Sequence, residues 1–271
     1  KKVDKILLQT ERAGAQMVAF DDNHYPELLR HIYDPPLILW LRGDREALIS
    51  PGIGVVGTRR PSRYGLLQTA DWVKRLVAGN ISVNSGLAYG VDTTAHREAL
   101  EAGGKTVAVL GSGINVIYPA RNSGLAKRIT EQNGALVTEY PPDTPPDAVN
   151  FPGRNRIVSG MSHGILVLES GIKGGSMITA RYALDQNREV FVVPHPLGTP
   201  GGEGCNYLIR TGQGKLVQTA DDIFDELSIG SQYDSGSPHS IPEFSWKNME
   251  LNPLQVKICE ALDGKKLHID S

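Results

Sequence analysis

Two rhythms of apolar and polar positions alternate along this 271-residue chain. Short β-rich runs at 53–56, 81–83, 106–110, 135–138, 164–168 and 189–193 read as strands buried on both faces. Between most of them lie stretches of helical length that are apolar on one side only. In 62–78, Leu66, Ala70, Val73 and Val77 share a face, Ser62 stands where an N-cap belongs and Gly79 where a helix ends. The same pattern recurs in 92–102, closed by Gly103, around Leu125 and Ile129 before Gly134, and in 176–187. Strands apolar throughout, alternating with helices, imply a doubly wound α/β domain whose sheet is mostly parallel and covered on both faces.

The two ends depart from this rhythm. Residues 1–50 read as a short N-terminal extension: Val3, Ile6, Leu7 and Thr10 at helical spacing, a strand at 17–20, a helix carrying Leu28, Leu29 and Ile32, and a strand at 37–41. The main domain spans 51–228, ending in an edge strand at 215–218 and a helix at 220–227 capped by Thr219. Residues 229–248 have linker character, since 229–243 are rich in Ser, Gly and Pro. In 249–271, Leu251, Leu254, Ile258 and Leu262 begin an amphipathic helix, the opening of a further small domain that the chain cuts short. The whole reads as a piece of something longer.

Composition narrows the chemistry. Lys and Arg total 28 against 30 Asp and Glu, a net charge of −2, so bulk positive charge cannot drive nucleic-acid binding, although a local patch can. Two cysteines, Cys205 and Cys259, are far apart, which excludes a disulfide scaffold and a cysteine zinc site. No apolar run approaches membrane-spanning length and no signal peptide opens the chain, so the expectation is a cytoplasmic protein without a membrane partner.

Three motif matches are decoys. Gly52-Ile53-Gly54-Val55-Val56-Gly57 spells GxGxxG, but its glycines flank and enter the strand instead of following it. Gly104-Lys105-Thr106 runs from helix into strand, the reverse of a P-loop. Gly160-Met161-Ser162-His163-Gly164 precedes its strand, so Ser162 cannot sit on a nucleophile elbow. Asp92, Glu139 and Glu169 follow strands, yet no activated nucleophile or metal-ligand spacing accompanies them; they read as braces for neighbouring loops, with no catalytic residue and no metal or cofactor expected.

What survives is a set of loops. In a doubly wound sheet, all loops leaving the carboxyl ends of strands gather at one edge, where ligands bind. Here they contain Gly57-Thr58-Arg59-Arg60-Pro61-Ser62-Arg63, Asn84-Ser85-Gly86, Gly111-Ser112-Gly113 and Lys173-Gly174-Gly175-Ser176. Glycines let backbone N–H groups face an anion, and a helix start adds partial positive charge. Between residues 150 and 182 the bases Arg154, Arg156, Lys173 and Arg181 face a single acid, Glu169. Tyr64, Tyr89, Tyr118, Phe151 and Tyr207 lie in or beside these loops and suit base stacking. An anion with several phosphates fits donors drawn from several loops.

The blocks Val55-Val56-Gly57-Thr58-Arg59, Ser85-Gly86-Leu87-Ala88-Tyr89-Gly90-Val91-Asp92-Thr93-Thr94-Ala95-His96, Phe151-Pro152-Gly153-Arg154-Asn155-Arg156-Ile157-Val158-Ser159-Gly160 and Lys173-Gly174-Gly175-Ser176-Met177-Ile178-Thr179-Ala180 come in order, closed by Gly204-Cys205-Asn206-Tyr207-Leu208-Ile209. Together they resemble the DNA-processing protein A (DprA/Smf) family over about residues 20 to 228. The resemblance implies an extended Rossmann-like domain that binds and protects single-stranded DNA, loads the RecA recombinase during natural transformation, and forms a homodimer. It also implies that 1–50 hold the tail of a helical domain with its connector, and that 249–271 begin a winged helix. Carried over block by block, Arg59, beside Thr58 and Arg60, would grip a backbone phosphate. Lys173 with Gly174, Gly175 and Ser176 would hold the next. Ser85, Gly86 and Gly111 would form the floor, and Arg154, Asn155 and Arg156 the rim. Met177 is open between a base or sugar contact and core packing. A Rossmann-type phosphoribohydrolase is the alternative, weakened because Gly174-Gly175-Ser176-Met177-Ile178-Thr179-Ala180-Arg181 lacks that group's Gly-Thr pair and following acid.

Overall fold

The computed structural model describes residues 2–229, so the expected linker and the opening of a further domain lie outside the described residues. The chain runs through α1 (Lys2–Arg12), β1 (Gln16–Ala19), α2 (Glu27–Arg30), β2 (Ile38–Gly43), α3 (Glu46–Ile49), β3 (Gly52–Val56), α4 (Arg63–Ala78), β4 (Ser82–Ser85), α5 (Val91–Glu101) and β5 (Thr106–Val109). It continues through α6 (Ser123–Glu131), β6 (Ala135–Thr138), α7 (Asn150–Gly160), β7 (Gly164–Val167), α8 (Gly175–Asp185), β8 (Glu189–Val192), α9 (Glu203–Arg210), β9 (Lys215–Leu216) and α10 (Asp221–Leu227).

Among the described residues these strands form one nine-stranded sheet in the order β1-β2-β6-β5-β4-β3-β7-β8-β9. From β6 across to β9 every pairing is parallel, whereas β1 pairs β2 and β2 pairs β6 antiparallel. Residues 1–50 thus supply two strands of this sheet. The expected doubly wound, mostly parallel α/β fold is the observed one. β3 through β6 step outward one way and β7 then returns to the other side of β3, with Ile53 opposite Gly164. The crevice above this reversal is where such sheets bind ligands.

Both faces are covered. Trp72, Val73 and Leu76 of α4 pack with Ala95 and Ala99 of α5 on one side; Ile157 and Val158 of α7 pack with Ala180 and Ala183 of α8 on the other. The glycines of the apparent dinucleotide motif serve this packing: a Cβ on Gly54 would overlap Ile165 Cδ1. Ser162 is buried, donating to Val158 O and accepting from Asn84 Nδ2.

Several local expectations change. Ser62 does cap α4, accepting from Gly65 N at 3.1 Å, but Gly79 has φ −77°, and the left-handed residue is Asn80 at +59°. The helix expected through Ile32 has only the four residues of α2. α10 has Ala220 and not Thr219 at its N-cap, with no side-chain cap; the Asp222 carboxylate instead accepts from the N–H groups of Gln218 and Thr219 ahead of the helix. Helices α3, α7 and α9 carried no recognised signal; in α7, Pro152 and Gly153 mask the pattern, although proline in a first turn forfeits no helical hydrogen bond.

Candidate nucleic-acid interface

A cleft of about 690 Å³ opens above the β3/β7 reversal. Of the fourteen expected residues, Thr58, Arg59, Gly86, Arg154, Asn155, Gly174, Gly175 and Ser176 line it. Four chain segments far apart in sequence meet there: three follow β3, β4 and β7, whose ends stand side by side, and the fourth belongs to α7.

The Arg59 loop is fixed from beneath by Glu169. Thr58 N donates to Glu169 O at 2.7 Å, and Ser62 donates to the Glu169 carboxylate through both its N–H and its hydroxyl, the latter at 2.8 Å. Gly65 leaves room for that carboxylate, since a Cβ there would overlap it. Among the described residues, neither Arg59 nor Arg60, both exposed, is paired with a carboxylate. Arg60 does not line the cleft.

Across from it, α8 begins at Gly175 without a side-chain cap, and Gly174, Gly175 and Ser176 at its start line the opening, while the Met177 N–H is taken by Gly174 O at 3.1 Å. Gly175 has open space where a Cβ would stand. The Ser176 hydroxyl is turned inward, donating to Ser170 Oγ at 2.7 Å, which leaves the backbone as the donor this residue offers. Lys173 is exposed just outside the lining, next to Gly174.

The floor differs from expectation. Arg154 is 5% exposed and donates through Nη1 to Gly86 O and Val109 O, tying the ends of β4 and β5 together. Burial lowers its pKa to about 10, with nearby Arg59 acting in the same direction, and it stays charged at neutral pH. Asp92, 7% exposed, accepts from the N–H groups of Gly86 and Ala88; burial raises its pKa, and Arg154 opposes the rise. Arg154 therefore builds the floor and is not a rim residue. Arg156 is not a rim residue either. Two positions on along α7 it faces away, gripping Glu139 with both Nη atoms at 2.7 Å and reaching Asp34 Oδ2 at 3.3 Å.

Ser85 is wholly buried and donates to Val55 O, Phe151 covers Gly111, and Met177 packs against the core, so none of the three lines the cleft. The three carboxylates read as braces are all engaged: Asp92 by backbone N–H groups, Glu139 by Arg156, Glu169 by Ser62. Among the described residues no cluster of side chains could hold a metal ion.

The cleft also has an apolar wall. Tyr118 and Phe151, with ring centroids 5.4 Å apart, line it beside Pro146, Ala148 and Ile178. Tyr89 borders a small adjoining recess with Tyr118 and Arg59. Tyr64 is turned instead onto His195, 5.2 Å between rings, and Tyr207 lies under Arg210. Pro146 and Ala148 gave no signal in the sequence. Thr179, one turn beyond Gly175 on α8, was within reach of helical spacing.

The family profile of DNA recombination-mediator protein A matches residues 16–228. The chain belongs to this family. It is 41% identical to Protein Smf of Escherichia coli over 240 residues, 89% of this chain and 64% of that protein, so it spans less than two thirds of that relative's length. It is 40% identical to the DNA processing protein DprA of Bacillus subtilis over 228 residues, covering 83% of this chain and 76% of the relative. Among family structures, DprA of Streptococcus pneumoniae superposes with a TM-score of 0.74 at 37% identity, covering 78% of this chain and 74% of the other. DprA of Helicobacter pylori, whose structure addresses a unique single-stranded DNA binding mode, gives 0.70 at 29% identity, covering 79% and 95%. No described helix is long and apolar enough to cross a membrane.

Proposed function

We propose that this chain binds single-stranded DNA through the cleft above the β3/β7 reversal and acts as a recombination mediator. The observation that carries this reading is that Arg59, which pairs with no carboxylate among the described residues, shares one cleft with the uncapped N-terminus of α8. A guanidinium on one side and backbone N–H groups on the other suit successive phosphates of one strand, with Lys173 at the entrance. Tyr118 and Phe151 offer apolar faces for unpaired bases, which a duplex keeps stacked inside. Family membership extends the proposal: the protein works without a cofactor or a catalytic step, as a cytoplasmic homodimer that passes the strand to the RecA recombinase during transformation and recombination.

The test is fluorescence anisotropy of labelled oligothymidine across a salt series, with duplex of equal length as competitor. Arg59→Ala and Lys173→Ala are each expected to weaken binding at least tenfold. Each should also flatten the log–log salt slope by about 0.7 for every phosphate no longer neutralised. Wild-type affinity in both variants, or a preference for duplex, overturns the proposal.

A further inference from the structure

The part of the apolar wall that carries Pro146 and Ala148 is a short irregular stretch, 145–149, whose residues are exposed and whose hydrogen bonds are local. It hangs between two anchors. At its far end Asn150 Nδ2 donates to Gly111 O at 3.2 Å. At its near end stands Asp143, which does not line the cleft.

Asp143 joins three pieces of chain. Its Oδ1 accepts from Asn115 Nδ2 at 2.7 Å, and its own N–H donates back to Asn115 Oδ1 at 2.8 Å. Its Oδ2 accepts from Gln9 Nε2 of α1 at 2.6 Å. Next to it, Gly113 N donates to Thr144 O at 2.9 Å, and a Cβ on Gly113 would lie 2.7 Å from Pro141 O and Thr144 N. Asp143 has φ +68°, a conformation that aspartate tolerates better than most residues and that the reciprocal pair with Asn115 holds in place. The loop reaching Tyr118 and the stretch bearing Pro146 and Ala148 are therefore fastened to each other, and to α1, through one carboxylate.

Resting on the single-stranded DNA reading of the cleft, we propose that Asp143 is a positioning residue for this wall. It sets where Pro146, Ala148 and Tyr118 stand relative to Arg59, and through Gln9 it makes the seating of α1 part of the cleft's geometry. The sign of the effect separates this role from simple charge. Removing an acid near a DNA-binding cleft favours the polyanion, whereas loss of the clamp weakens binding.

The experiment combines hydrogen–deuterium exchange with oligothymidine binding in Asp143→Gly, Asp143→Asn and Gln9→Ala. Glycine keeps the backbone conformation and its N–H to Asn115 Oδ1 but deletes both carboxylate contacts, to Asn115 Nδ2 and to Gln9. Asparagine keeps an acceptor for Asn115, and Gln9 can turn its amide to meet the new NH2. In Asp143→Gly, amides of 144–149 are expected to exchange at least tenfold faster while β3 to β7 are unchanged. Affinity should fall about fivefold at an unaltered salt slope, because the same phosphates are still neutralised. Asp143→Asn should restore most of both, and Gln9→Ala should quicken exchange of the wall to a smaller degree. Unchanged exchange in Asp143→Gly, faster exchange with unchanged affinity, or tighter binding would overturn the proposal. If the wild-type protein binds no oligothymidine, the DNA reading itself fails, and exchange alone decides whether Asp143 holds the wall.

Discussion

Arg154 and Gly86 are fitted to each other: Arg154 Nη1 donates to Gly86 O at 2.5 Å, and a Cβ on Gly86 would lie 2.5–2.6 Å from three atoms of the guanidinium. Gly86→Ala must therefore push a buried charge off the two carbonyls it serves. The expected cost is about 2–3 kcal/mol, from overpacking and a disturbed buried hydrogen bond. Arg154→Ala is harsher, about 3–5 kcal/mol, because Asp92 then keeps a buried charge without its compensating neighbour. Urea midpoints measure both, and a loss under 1 kcal/mol for Arg154→Ala would show that the floor does not depend on this residue.

Arg156 gives the opposite pattern. Its fork on Glu139 makes it a structural residue, so Arg156→Ala should lower stability by about 1–3 kcal/mol. Oligothymidine affinity per folded molecule should stay within twofold of wild type. A loss as large as that of Arg59→Ala would return Arg156 to the interface.

Glu169→Gln keeps the shape beneath the Arg59 loop but replaces a charged acceptor of the Ser62 N–H and hydroxyl with a neutral one. A loss of about 1–3 kcal/mol is expected, since hydrogen bonds to a charged group are the stronger kind. DNA binding should weaken too, although Glu169 is itself acidic. Stronger binding in this variant would mean that the carboxylate acts on the cleft by charge and not by fixing the loop.

Acid should destabilise the protein through His96. The Thr106 hydroxyl donates to Val83 O and so accepts from His96 Nδ1–H, leaving Nε2 buried without a partner among the described residues. Burial depresses the pKa from 6.5 to about 3. Between those values the unfolded chain binds a proton that the folded one does not, so this contribution to stability is present above about pH 6.5 and is lost as pH falls. At pH 5 the loss is about 2 kcal/mol. Urea midpoints at pH 7.5 and 5.0, compared with those of His96→Asn, check the assignment: the variant should lack this part of the acid sensitivity.

The periodicities in the sequence carried the α/β alternation and the strands β3 to β8 to within two residues, because strands buried on both faces leave an unmistakable apolar signature. The loops that meet over the sheet were legible for the same reason: their place follows from topology alone. Side-chain commitments were not. Arg154 and Arg156 look alike in the sequence, and only the turn of α7 sends one beneath the cleft and the other to Glu139. Gln9, Asn115 and Asp143 are separated by up to 134 residues, so their meeting has no local trace.

Asp92 gives the cleft a limit of depth. A phosphate that slid past Arg59 toward the floor would approach a buried carboxylate as well as the Arg154 cation, and would lose water with little net attraction to replace it. On the proposed single-stranded DNA reading, the strand would be held near the mouth, its far side open to solvent. Cargo carried so shallowly would be lifted off by another protein without first being pulled from a hole.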